Sequence, residues 1–152
     1  MTTAGVLVRD ARDDDAEAGA ALLRESIRRL CAADHLNDPA AISDWITNKS
    51  PAEFRRWKET PDLCLLVAER DGRLAGVGLV REDGELLLLY IAPECAYSGV
   101  GKTLLQALEV RAQMRGAHKI TLETTTTGRE FYETAGYAPA RPGSLRLEKA
   151  LS

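Results

Sequence analysis

Residues 88–105 read LLYIAPECAYSGVGKTLL. An apolar run stops at Pro93, a loop bearing Gly99 and Gly101 follows, and Leu104, Leu105, Leu108 and Ala112 then recur at helical spacing up to Gly116, which is placed as a C-cap. Lys119 to Glu123, KITLE, is a short apolar strand beyond it. A helix of about 16 residues from Gly99 to Arg115 carries the chain roughly 24 Å away from the end of the first strand. The returning strand is therefore parallel to the first, and Ala92 and Thr124 share one edge of a βαβ unit. Ligands bind beyond the carboxyl ends of strands in such units, and a glycine loop entering a helix offers backbone N–H groups and the positive end of a dipole. Ser98 to Thr103 are thus predicted to hold an anion, with phosphate the natural choice.

Working outward, the segment before this unit reads as two Asp-Gly turns between three apolar runs. LCLLVAE, LAGVGLV and ELLLLYIA are separated by Arg70-Asp71-Gly72-Arg73 and Glu82-Asp83-Gly84, which predicts an antiparallel meander. Gly76 and Gly78 inside the second run permit close approach of another backbone or a ligand. Upstream, Gly5 to Arg9 is a short strand, and Asp13 to Asp15 offer caps to a helix carrying Ala18, Leu22, Leu23, Ile27 and Leu30. Pro39 opens a short helix with Ile42, Trp45 and Ile46, and Ser50-Pro51-Ala52-Glu53 is a capping box ahead of Phe54 and Trp57. Downstream, Thr127 to Ala135 is a short helix ended by Gly136, followed by strands near Tyr137-Ala138 and Leu145 to Glu148. The predicted order is β, α, α, three β, α, β, α, β, with no repeat or linker.

Composition narrows the function. A chain of 152 residues with 45% hydrophobic residues is one domain with a substantial core. Twenty Lys and Arg against 23 Asp and Glu leave a net charge of -3, which provides no basic face for a nucleic acid. Cys31, Cys64 and Cys95 are an odd, scattered set, and with two histidines in the chain they predict neither a disulfide framework nor a metal site. No apolar run approaches the roughly 18 residues needed to span a bilayer. The expectation is a soluble, cytoplasmic protein without a membrane or nucleic-acid partner.

Two families hold phosphate in this way. Ala96 followed by four residues and Gly101-Lys102-Thr103 approaches the nucleotide-binding P-loop pattern. Only the 49 residues after Thr103 remain, however, and such a domain builds most of its parallel sheet after the loop. The other family fits throughout. Leu88 to Gly101 resembles the strand, V-x-P and pyrophosphate loop Q/R-x-x-G-x-G/A of the GNAT superfamily of N-acetyltransferases, and Arg129-Glu-Phe-Tyr-Glu-Thr-Ala-Gly-Tyr137 is similar to its FYExxGF segment. Departures are Ala96 for the Gln or Arg that opens the loop, Thr125 for an Asn ahead of the last helix, and Gly128 for Ala.

The resemblance implies an α/β chain with α+β character: one GNAT domain over 1–152, a central mixed, mostly antiparallel, twisted sheet with helices on both faces. It implies acetyl-CoA as co-substrate. Ala96, Tyr97, Ser98, Gly99, Val100, Gly101, Lys102 and Thr103 would surround the pyrophosphate, with Val100 contributing its amide alone and Lys102 and Thr103 peripheral. The backbone of Leu89, Tyr90 and Ile91 would pair with the pantetheine, and Thr125 would stand beside it. Tyr132 resembles the general acid for the departing thiolate. At reference values of about 10 and 8.5, a phenol gives its proton to a thiolate uphill by about 2 kcal/mol, so transfer is coupled to bond breaking. Phe131 and Ala135, four apart, form the core stripe in this reading and leave Tyr132 about 100° round the helix. Glu123, at its strand end, is the candidate base, either directly or through water, or else a solvated carboxylate. Asp34 and His35 fall where the family places its acceptor, a small-molecule or peptide amine. Cys31 and Cys95 have no nearby base legible in the sequence, so direct transfer is preferred over an acyl-enzyme. A non-catalytic acyl-CoA sensor is the alternative, and the family resemblance also allows a homodimer paired through the last strands.

Overall fold

Both Asp-Gly turns form, and they fold residues 63–91 into the expected meander. In the computed structural model, which describes residues 2–3, 5–30, 49–96, 98–126 and 128–151, the meander comprises β3 (Leu63–Arg70), β4 (Arg73–Arg81) and β5 (Leu86–Ile91). Before it come β1 (Thr2–Thr3), β2 (Val6–Asp10), α1 (Ala16–Leu30) and α2 (Pro51–Glu59). After it come α3 (Val100–Met114), β6 (Lys119–Glu123), α4 (Arg129–Thr134), β7 (Ala138–Pro139) and β8 (Arg146–Ala150). The two-residue β1 was not expected, and β8 begins one residue later and runs two further than the pattern suggests. The expected helix around Ile42, Trp45 and Ile46 lies outside the described residues, as do Cys31, Asp34 and His35.

Strands β1 to β5 form one antiparallel sheet in sequence order, and β6, β8 and β7 form a second antiparallel ladder. The two meet at one parallel bridge, Glu85 to Thr121. The result is the mixed, mostly antiparallel sheet with helices on both faces. Alternation along β3 divides the core: Leu66 and Ala68 face α3 with Leu104, Leu105 and Leu108, whereas Leu65 and Val67 face α1 and α2 with Leu22, Leu23 and Phe54. Strand β3 is buried on both sides, which is why LCLLVA reads as a continuous apolar run.

Local signals account for the helix ends. Ser50 caps α2 by accepting the Glu53 N–H at 3.1 Å, but the Glu53 carboxylate turns to Arg56, so only half of the capping box forms. At the start of α1, Asp15 accepts the Arg12 N–H at 2.7 Å and grips Arg9 of β2 through both oxygens, at 2.8 and 3.0 Å. The close approach that Gly76 and Gly78 permit is used chiefly by side chains of α3 and β5. An added Cβ at Gly78 would lie 2.5 Å from Leu108 Cδ1, and one at Gly76 would lie 2.9 Å from Ile91 Cδ1 and 3.1 Å from Leu104 Cδ2. These glycines let α3 settle close to the sheet. Among the described residues no helix is long and apolar enough to cross a membrane.

Candidate active site

The free edge of β5 is the first component. Ala92 donates to Ala75 at 2.8 Å, and the register runs through Val77–Tyr90 and Leu79–Leu88. Hydrogen bonding alternates along an antiparallel pair, so Leu88 and Tyr90 use their backbone groups on β4 while Leu89 and Ile91 turn theirs outward. The expectation for Leu89, Tyr90 and Ile91 is therefore corrected at Tyr90, whose backbone is spent and whose ring packs on the α1 side. A register shift makes Leu87 an extra residue in β5. Beyond the Glu85–Thr121 bridge no described strand pairs with the outer edge of β5, which leaves Leu89 and Ile91 without a strand partner on that side.

The loop supplies the second component. Pro93–Cys95 makes a 3-10 turn, Ala96 donates its N–H to Pro93 at 3.3 Å, and the Ser98 hydroxyl donates to the Cys95 carbonyl. Tyr97 lies outside the described residues. Gly99 is the N-cap of α3 with φ 90°, a left-handed conformation that favours glycine, and no side chain caps the helix. The N–H groups of Val100, Gly101 and Lys102 thus lie in the first turn with no intrahelical acceptor. Val100 buries its side chain completely, as expected, which leaves only its amide for any ligand. Thr103 does not fit a ligand-donor role: it is buried, and both its N–H and its hydroxyl donate to the Gly99 carbonyl, at 3.1 and 3.0 Å. That hydroxyl is not placed for the magnesium contact a P-loop requires.

Helix α4 supplies the third component and corrects one expectation. Tyr132 turns inward against the α3-side core, whereas Phe131 is 39% exposed. Six residues are too few for periodicity to fix which side is buried, and the neighbours decide it. Tyr132 meets Phe131 and Tyr137 edge-on, with ring centroids 5.1 and 5.8 Å away. Tyr137, 3% exposed, donates its hydroxyl to Glu109 of α3 at 2.7 Å, and Lys149 of β8 joins Glu109 at 3.2 Å. Burial, and then the Glu109 carboxylate, hold the Tyr137 phenol far above its usual range, so it stays protonated. The Phe131 ring lies over Gly101, 3.2 Å from where a Cβ would stand, with Ile91 at 3.4 Å from the same point. Phe131, Ile91 and Gly101 therefore bring α4, β5 and α3 together. The sequence offered one signal for Phe131, its place beside Tyr132 in FYETAGY, and none for Glu109.

Thr125 accepts the Gly128 N–H at 3.1 Å through its hydroxyl, forming the turn that leads into α4. Glu123 ends β6 with a side chain 78% exposed, 3.6 Å from Arg146. A cleft of about 440 Å³ shares no residue with this region; it lies between the α1 start and the β3–β4 turn, lined by Arg9, Arg12, Asp15, Glu69 and Arg73.

A free strand edge, a helix start with unbonded amides and an inward tyrosine together suit a long ligand with an amide-bearing arm and a phosphate. A family model described as Acetyltransferase (GNAT) domain matches residues 32–146. The chain is 30% identical over 90 residues to an IAA acetyltransferase of Azospirillum brasilense, covering 54% of this chain and 59% of that relative. It thus spans under two thirds of that relative's length. A GCN5-related N-acetyltransferase structure from Rhodopseudomonas palustris superposes with a TM-score of 0.85 at 25% identity, covering 99% of both chains. The PaiA N-acetyltransferase of Thermoplasma acidophilum in complex with coenzyme A superposes with a TM-score of 0.82 at 24% identity, covering 96% of this chain and 99% of that one.

Proposed function

Because the chain belongs to the GNAT acetyltransferase family, we propose that it moves an acetyl group from acetyl-CoA to a primary amine by direct transfer within a ternary complex. The observation that carries this reading is the unpaired edge of β5 beside the open first turn of α3. Leu89 and Ile91 offer that edge to the pantetheine amides, as a neighbouring strand would. The amides of Val100, Gly101 and Lys102 face the pyrophosphate, aided by the helix dipole. Coenzyme A in the Thermoplasma neighbour supports this choice of ligand.

In the reaction the neutral amine attacks the thioester carbonyl, an outward amide of β5 stabilises the oxyanion, and the tetrahedral species expels the coenzyme thiolate. Tyr132 gives the thiolate its proton as the C–S bond breaks. Glu123 takes the amine proton through water, as its exposure permits. Asp34 and His35 contact the acceptor, a small molecule or peptide. Residues 1–152 act as one domain, working in the cytoplasm and pairing as a homodimer through the last strands.

The test mixes the protein with acetyl-CoA and a panel of amines and follows free thiol. Turnover is expected, with Tyr132→Phe lowering kcat by about 10²-fold while coenzyme binding is retained. Tight coenzyme binding with no turnover on any amine would instead mark a non-catalytic acyl-CoA sensor, and no coenzyme binding would sink both readings.

A further inference from the structure

Adjacent strands ordinarily lie about 4.7–4.9 Å apart along their shared length. Here β5 and β6 pair once and then separate, so something must hold the vertex. Thr121 donates its N–H to Gly84 at 3.0 Å. Gly84 has φ 98°, and an added Cβ would stand 2.0 Å from the Lys119 carbonyl oxygen, so the two segments approach this closely because residue 84 is glycine. Glu85 comes next. Its Oε1 accepts from the Thr121 hydroxyl at 2.6 Å and from Arg146 at 2.7 Å, and its Oε2 accepts from Arg146 at 3.3 Å. The Glu85 backbone is itself fixed, its N–H donating to Asp83 at 3.1 Å and its carbonyl accepting from Arg81 at 2.8 Å. Arg146 pairs in register with Glu123 across the β6–β8 ladder. One carboxylate, 17% exposed, therefore ties the start of β5 to both β6 and β8.

We propose that Glu85 is a positioning residue whose bonds to Thr121 and Arg146 fix the angle at which β5 and β6 part, and so set the width of the coenzyme slot. The inference rests on the acetyl-CoA reading above. Leu89 and Ile91 lie four and six residues beyond the vertex, about 13–20 Å along the strand. A rotation of about 5° at the vertex shifts an edge at that distance by more than about 1 Å, beyond what a strand-like hydrogen bond tolerates.

The experiment titrates coenzyme A and 3′-phospho-ADP, the portion carrying the pyrophosphate, into the wild type, Glu85→Ala and Glu85→Gln by calorimetry. In Glu85→Ala the coenzyme A Kd is expected to rise about tenfold while that for 3′-phospho-ADP changes less than about twofold, because the loop on α3 is untouched. Glu85→Gln keeps an acceptor for Thr121 but loses the charge facing Arg146, so it falls between, and it decides the matter alone if Glu85→Ala does not fold. Unchanged coenzyme A affinity in the folded variants overturns the proposal, as does an equal loss for both ligands. A wild type that binds no coenzyme A removes the acetyl-transfer reading and this one with it.

Discussion

Phe131 and Tyr132 exchange the places that their spacing assigns, and the reason is a hydrogen bond that the sequence does not display. Tyr137 anchors on Glu109, Tyr132 packs against Tyr137, and Phe131 is left at the surface over Gly101. Tyr137→Phe removes the anchor while leaving the Glu109–Lys149 pair. Urea unfolding is expected to register a loss of about 1 kcal/mol, and kcat is expected to fall more than the coenzyme KM rises, because Tyr132 loses its support. Equal kcat in wild type and variant would separate Tyr132 from its neighbour. Gly101 was legible as a loop glycine, but its neighbours were not. Gly101→Glu puts a carboxylate beside the Phe131 ring and the open first-turn amides of α3, so coenzyme A affinity should fall by at least about tenfold, or about 1.4 kcal/mol, if those amides hold the pyrophosphate. Unchanged affinity in the folded variant would remove the loop from the site.

At the scale of elements, apolar periodicity located α3 and β3 because burial on a face is a local pattern, yet it could not show what seats one element on another. Helix α3 rests where Gly78 leaves room for Leu108. Gly78→Ala forces these buried groups apart and is expected to lower stability by about 1–3 kcal/mol in urea, the opposite sign from a glycine replaced on an open strand. The α1 start shows the same limit. Asp13 to Asp15 were legible as acidic caps, but not the reach of Arg9 from β2. The Arg9 hydrogen bond, against the opposing effect of burial and aided by the Arg12 N–H, holds the Asp15 carboxyl below the usual carboxylate range. A carboxyl depressed in the folded state binds its proton more readily when unfolded. Its stabilisation is therefore full above the ordinary carboxylate value of about 4 and is lost as pH falls through the folded value. Asp15→Asn should destabilise the protein at pH 7, and the gap from wild type should narrow steadily below about pH 4 in urea titrations. A gap independent of pH would show that Asp15 acts by shape alone.

For the whole molecule, the sequence conveyed the strand-loop-helix unit and its meander, since each depends on neighbours in the chain. It could not show that β5 and β6 touch once and diverge, because that depends on Glu85, Thr121 and Arg146, which are up to 61 residues apart. The divergence leaves two ladders joined at a narrow seam, and a pantetheine arm lying along Leu89 and Ile91 would act as the missing strand between them. Binding should then stabilise the folded state as a whole, by about 2.7 kcal/mol at a coenzyme concentration 100 times its Kd. It should also leave an alternating imprint on amide exchange. In the free protein Leu89 and Ile91, with backbones turned outward, should exchange faster than Leu88 and Tyr90, which bond to β4. Coenzyme A should erase that difference by giving the first pair hydrogen-bond partners of their own, which stabilisation of the fold alone would not do. Uniform slowing of all four amides would mean that the coenzyme stabilises the protein without lying along this edge, and the strand-like mode of binding would have to be abandoned.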